Sequence, residues 1–121
     1  MIVAGFGCRA GADIASLRAA LDSAQAGQPP VTHLAAPRDR LAALAPLARA
    51  LDLPLTGITA AALAAIETPT RSAASLHARG VGSVAEAAAL AAAGPGACLI
   101  VPRHIAPDRM ATCAIAQGPE T

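Results

Sequence analysis

Short apolar runs alternate along this chain with longer stretches in which apolar residues recur every third or fourth position. Ile2 to Phe6 is a continuous apolar run and predicts a buried strand. From Asp13 to Gln25, Ile14, Leu17 and Leu21 recur at helical spacing while Arg18 and Asp22 fall off that face, so a helix is predicted. Gly27-Gln28-Pro29-Pro30 breaks the pattern. Val31 to Ala35 predicts a second strand. Pro37 to Leu51 predicts a second helix, with Leu41, Leu44, Leu47 and Leu51 on one stripe and Pro46 expected to kink or split it. Leu53 to Ile58 predicts a third strand, and Thr59 caps a short helix through Ile66. After a loop at Glu67-Thr68-Pro69-Thr70, Arg71 to Ala78 predicts a helix that Gly80-Val81-Gly82 ends. Ser83 to Ala92 predicts another, opening on a capping box from Ser83 to Glu86 and stopped by Gly94-Pro95-Gly96. Cys98 to Val101 and Thr112 to Ala116 predict two closing strands, joined by Pro102 to Met110.

Strand and helix alternate through the first half, which points to an α/β layered domain with a mainly parallel sheet of about five strands. A hairpin of the last two strands would make that sheet mixed. The length of 121 residues fits one domain over residues 1–121. No repeat or linker interrupts it.

Composition narrows the picture. Hydrophobic residues make up 55% and charged residues 14%, which excludes a disordered chain. Phe6 is the only aromatic residue, so the core is built from Ala, Leu, Val and Ile. A net charge of +1 and the lack of stacking platforms argue against a nucleic-acid partner. Every basic side chain is arginine, which suits bidentate contacts to carboxylate or phosphate, although a GC-rich coding bias also yields this composition. Arg9, Arg38, Arg40, Arg71, Arg79 and Arg103 are candidates for a local basic pocket. Cys8, Cys98 and Cys113 are odd in number and widely spaced, and His33, His77 and His104 share no metal-ligand spacing, so neither a disulfide framework nor a metal or other cofactor is expected. The N-terminus lacks a signal-peptide pattern, and the longest apolar run, Ala87 to Ala93, is too short to span a bilayer. The expectation is a cytoplasmic protein with no membrane partner.

The stretch GFGCRAG, residues 5 to 11, concentrates the candidate chemistry. Gly5-Phe6-Gly7-Cys8-Arg9-Ala10 matches G-x-G-x-x-G/A, but the second strand ends in Ala35-Ala36-Pro37 without the acidic residue that a dinucleotide site needs. Two readings remain. A glycine-rich strand-to-helix loop presents backbone N–H groups where an anion is favoured, with Arg9 adding a planar charge. Equally, it is a tight turn needing positive φ at Gly7 or Gly11. Cys8 is a nucleophile only if a base stands beside it, and no partner is identifiable; packing as a small apolar thiol is the simpler account. Ser72 and Ser83 sit at helix starts, where capping suffices to explain them, as it explains Glu86.

Three blocks carry a resemblance. Val3-Ala4-Gly5-Phe6-Gly7-Cys8-Arg9-Ala10-Gly11 is similar to the opening signature of the CobE / CbiG C-terminal domain family of cobalamin (vitamin B12) biosynthesis. Glu67-Thr68-Pro69-Thr70-Arg71-Ser72 and Gly80-Val81-Gly82-Ser83-Val84-Ala85-Glu86-Ala87 resemble its T-P-S … G-V-x-S-V-A-E-A pattern, with one extra residue before the serine. Leu99-Ile100-Val101-Pro102-Arg103 and Ala111-Thr112-Cys113-Ala114-Ile115-Ala116 resemble its closing strands. The chain departs from the family at Ala36-Pro37-Arg38-Asp39-Arg40-Leu41. There Arg38 stands where the family carries a lysine, and its glutamate has no counterpart. Arg103 also replaces a lysine. Roles needing only positive charge carry over.

The resemblance implies a three-layer α/β/α domain acting in corrin-ring assembly, in the form that stands alone in the aerobic pathway. It implies a precorrin or corrinoid intermediate as ligand, and other pathway enzymes as possible partners. Such a ligand carries acetate and propionate chains around an apolar ring, and the expected contacts are Gly5, Gly7, Cys8, Arg9, Gly11, Ser72, Ser83, Glu86 and Arg103. A binding protein is the first expectation. The alternatives are an enzyme opening or rearranging a lactone, with Cys8 as nucleophile or Glu86 as acid/base, and a docking module for a pathway methyltransferase.

Overall fold

A computed structural model describes residues 1–119. The elements run β1 (Ile2–Cys8), α1 (Ile14–Gln25), β2 (His33–Pro37), a 3₁₀ turn (Arg38–Arg40), α2 (Leu41–Leu51), β3 (Leu55–Ile58), α3 (Ala60–Ala64), α4 (Ala73–Arg79), α5 (Val84–Ala93), β4 (Cys98–Ile105) and β5 (Ala111–Gln117). The sheet order is β3-β2-β1-β5-β4. β3, β2 and β1 are parallel, whereas β5 runs antiparallel to both β1 and β4, so the expected closing hairpin makes the sheet mixed.

Two apolar faces make the three layers. On one, α1 and α2 lay Leu17, Leu21, Leu44 and Leu47 against Phe6, Leu34 and Ile115. On the other, α3 and α5 lay Leu63, Ala87, Ala88 and Ala89 against Val3, Ala35 and Ala116. Six of the ten buried residues of the second face are alanine, and this lets α5 sit very near the sheet. The approach is closest over Gly5, where an added Cβ would run into the Ala85 carbonyl and the Ala89 amide.

Several boundaries differ from the sequence expectation. β1 continues two residues beyond Phe6, to Cys8, and β4 continues four beyond Val101, to Ile105. Pro46 does not split α2. Its ring is on the exposed side, and the carbonyl it leaves without an N–H belongs to the exposed Ala42, open to water. Asp13, Thr59, Ser72 and Ser83 each cap a helix, accepting from the backbone N–H three residues on. Among the described residues no helix is long and apolar enough to cross a membrane.

Candidate functional site

β1 ends beside the start of β5, with Gly7 opposite Thr112 and Cys8 opposite Ala111. Outside the carboxyl end of β1 lies a cavity of about 500 Å³. Ligands of open α/β sheets occupy this position. Its walls come from the end of β1, the 3₁₀ turn, α4, the start of α5, β4 and the β4–β5 turn.

Five arginines reach it: Arg9, Arg40, Arg79, Arg103 and Arg109. Each is placed by a different local device. Arg9 follows the last residue of β1, and its N–H donates to the Met110 carbonyl (2.9 Å). Arg40 donates from Nε to the Cys8 carbonyl (3.1 Å). Arg79 closes α4 and pairs with Asp39 at 2.9 Å. That pair holds the Asp39 carboxyl below its ordinary value, so whatever stability it contributes is present above about pH 4 and is lost as pH falls through the depressed value. The pair is well exposed on the Asp39 side, so its contribution is small.

Arg103 is placed by a β-bulge. Val101 pairs with Ile115 and His104 with Cys113, so two residues of β4 oppose one of β5. Pro102, which has no N–H, sits in that irregularity on the edge strand, where proline is tolerated. The bulge turns Arg103 toward the cavity and frees its N–H from the ladder. That N–H donates instead to Glu86 Oε2 (3.0 Å).

Arg109 lies in the β4–β5 turn at φ +61°, the left-handed region that a side chain makes costly. The turn is pinned by Asp108, which accepts from the Ser16 hydroxyl and from the Met110 N–H. Asp108 is held below its ordinary value chiefly by the Ser16 bond.

Among the described residues no acidic side chain lines the cavity. Among the described residues, Arg9, Arg103 and Arg109 form no ion pair. The rest of the lining includes the hydroxyls of Ser72, Ser75, Ser83 and Thr112, the Cys8 thiol, and apolar side chains such as Val84, Ile105 and Met110.

Six of the expected contacts therefore meet in one place: Gly7, Cys8, Arg9, Ser72, Ser83 and Arg103. Gly5, Gly11 and Glu86 do not line the cavity. Gly5 is covered by α5. Gly11 is exposed and serves the turn, with φ +86°. GFGCRAG is thus no loop of free amides: Gly5, Gly7 and Cys8 lie within β1, and the Asp13 carboxylate occupies the N-terminus of α1. The site that forms beside it is made of side chains.

Glu86 is fully buried with both oxygens engaged. Oε1 accepts from the Thr70 N–H (3.0 Å), and Oε2 accepts from the Thr70 hydroxyl (2.7 Å) and the Arg103 N–H. Half of the capping box forms, through Ser83 Oγ and the Glu86 N–H (3.3 Å). The carboxylate turns inward and ties the 67–72 loop to β4.

Burial pushes the Cys8 thiol above its ordinary value of 9.0, against a partial offset from Arg40 and Arg79. Cys8 is half-buried and Cys98 exposed. Near neutral pH, iodoacetamide should modify Cys98 well before Cys8, with Cys8 gaining speed only as pH passes its ordinary value. Peptide mass mapping reads this, and a Cys8 that reacts first at neutral pH would reinstate the nucleophile. Among the described residues no group of three His, Cys, Asp or Glu is placed to hold a metal ion.

Arg40 and Arg79 stand among the sequence's pocket candidates without being assigned to this site, and Arg109 is not among those candidates. Pro107-Asp108 signalled a turn there. Which residue of the turn would go left-handed carried no signal.

Residues 2–116 match the family described as "Cobalamin synthesis G C-terminus". The fold is similar to the crystal structure of CobE, a protein from the cobalamin (vitamin B12) biosynthetic pathway, with 34% identity, a TM-score of 0.85, and coverage of 96% of this chain and 89% of that one. It is also similar to cobalamin biosynthesis protein chiG from Agrobacterium tumefaciens, with 36% identity, a TM-score of 0.76, and coverage of 99% and 100%. A cobalamin biosynthesis protein G homolog from Sulfolobus solfataricus shares the fold at 18% identity and a TM-score of 0.75, with 98% of this chain covering 37% of that one. No curated protein matches the chain.

Proposed function

The chain belongs to the cobalamin synthesis G C-terminus family of cobalamin biosynthesis, and from that premise we propose that its arginine-lined cavity binds a precorrin or corrinoid intermediate by the ligand's carboxylates, as a carrier or accessory protein of the pathway. The observation that carries this reading is the convergence of five arginines, one of them paired with Asp39, from five separate segments on one cavity that no carboxylate lines among the described residues. The chain as a whole has a net charge of only +1, so the concentration is local. Gathered like charges oppose folding, and an anionic ligand relieves them. Each charge-assisted hydrogen bond contributes about 1.5–3 kcal/mol, so two or three of them supply a large share of what offsets the losses of association, and the apolar lining supplies the rest.

Binding is favoured over catalysis. The raised Cys8 pKa keeps the thiol protonated at neutral pH, and among the described residues no histidine or carboxylate shares the cavity with it. Glu86 is committed to three donors and does not line the cavity, so among the described residues the lining offers no carboxylate or histidine as acid or base. Docking of a pathway methyltransferase is compatible with the same site and is taken up by the test.

The test is titration of the purified protein with metal-free corrinoid acids and earlier precorrins, followed by visible absorption, co-elution and ligand mass. Saturable binding with unchanged mass is expected. A changed mass would make the protein an enzyme, and absence of binding to every intermediate would leave docking as the role. Arg109→Gly offers a sharper prediction. Glycine accepts φ +61° freely, so the variant should be as stable as the parent or more so by up to about 1 kcal/mol, yet bind the ligand several-fold more weakly. Thermal melts and the same titration check both halves, and unchanged affinity would remove Arg109 from the site.

A further inference from the structure

We infer that the cavity takes only one edge of the tetrapyrrole, a single ring with its adjacent acid side chains, and leaves the rest of the macrocycle outside the protein. This rests on the tetrapyrrole reading above and specifies how that ligand sits.

The first argument is size. A cavity of about 500 Å³ falls in the lower part of the range, roughly 300–1,000 Å³, that encloses a drug-sized molecule. One pyrrole-derived ring with an acetate and a propionate is well within that size. Four such rings, with their bridges and side chains, are not.

The second argument is the distribution of charge. The carboxylates of a tetrapyrrole are spread around its whole perimeter. The guanidiniums here are gathered in one hollow, arranged from inside to rim: Arg40, Arg79 and Arg103 are half-buried, while Arg9 and Arg109 are exposed. A ligand lying flat would need cations scattered over a surface. A ligand entering edge-on needs them converging, as they do.

The third argument is the mouth. Ile105 lines the cavity yet is 42% exposed, one of three large apolar side chains left open on the described surface. An edge-on macrocycle would pass over Ile105, which would then cover part of the ring face just outside the hollow. The opposite edge, with its own carboxylates and ring carbons, stays in water and within reach of an enzyme of the pathway. Transfer between proteins then needs no free intermediate.

The experiment uses uroporphyrin, a fluorescent tetrapyrrole polycarboxylate, and porphobilinogen, a single pyrrole with one acetate and one propionate. Acrylamide quenching of bound uroporphyrin should stay within about twofold of the free value, whereas a ligand buried by 70–90% would be protected roughly three- to tenfold. Porphobilinogen should compete at millimolar concentration, and Arg103→Ala should weaken both ligands by a similar factor. Binding of uroporphyrin with strong protection from quencher would overturn edge-on seating while leaving the carboxylate-binding reading intact. Failure of porphobilinogen to compete would overturn the single-ring assignment. If uroporphyrin and the metal-free corrinoid acids all fail to bind, both readings fall together.

Discussion

Replacing Gly5 by alanine should lower the thermal midpoint by about 10 °C, the larger of the two glycine effects that this fold predicts. The added Cβ meets backbone, the Ala85 carbonyl and the Ala89 amide of α5, and backbone cannot rotate out of the way as a side chain can. Either α5 lifts from the sheet or β1 bends, and both open the alanine face built from Val3, Ala35, Ala88 and Ala116. Overpacking of this kind costs about 1–3 kcal/mol, occasionally more, and ~3 kcal/mol corresponds to roughly 10 °C in a domain of this length. Gly5→Val should fail to fold. Gly11 supplies the contrast. Nothing lies within 4 Å of a Cβ there, and the only cost is its φ of +86°. Gly11→Asn should therefore melt close to the parent, since asparagine tolerates the left-handed region. Circular dichroism melts of the variants decide it. A Gly5→Ala protein that melts within about 2 °C of the parent would mean α5 is not held as close as described.

That contrast also shows what could be read from the sequence and what could not. The glycines of GFGCRAG suggest a loop because glycine weakens strands in general. Gly7 is instead in β1, together with Gly5, which the strand expected over Ile2 to Phe6 already included but which is required by a helix about eighty residues away in sequence. Such a need has no local signature. The elements themselves were legible wherever periodicity and a cap agreed, as at Asp13 with Leu17 and Leu21, or Thr59 with Leu63. Pro46 misled because its cost depends on which side of α2 it faces, and it faces water. For the site, the arginines were visible but their convergence was not. Arg40 and Arg103 become neighbours of one cavity only through the order β3-β2-β1-β5-β4, which brings the end of β4 beside the end of β1 with β5 between them. Glu86 illustrates the same limit. Its spacing from Ser83 satisfied a capping box, yet its carboxylate went to partners that no spacing rule connects to it.

Glu86→Ala should cost about 3–5 kcal/mol and also weaken the ligand, although Glu86 does not touch the cavity. The alanine leaves the Thr70 N–H, the Thr70 hydroxyl and the Arg103 N–H facing an empty acceptor site in a fully buried position. An unsatisfied buried donor costs about 1–3 kcal/mol, and Thr70 can recover part of this by shifting toward water. In urea the midpoint should fall by about 2 M, taking a slope near 2 kcal/mol/M. Glu86→Gln keeps the shape but offers an NH₂ where a second acceptor is needed. Whichever way the amide turns, that NH₂ faces a backbone N–H that cannot accept, of Thr70 or of Arg103, so much of the loss should persist. Affinity falls because the bulge that aims Arg103 into the cavity is held through that same N–H. A positioning role of this kind predicts that stability and affinity fall together and that glutamine rescues neither fully. An acid/base role predicts the opposite: Glu86→Gln would fold and bind as the parent does and lose only turnover. Urea unfolding of both variants, read beside a titration with uroporphyrin, separates the two, and parental stability in Glu86→Gln would return Glu86 to the list of candidate acids.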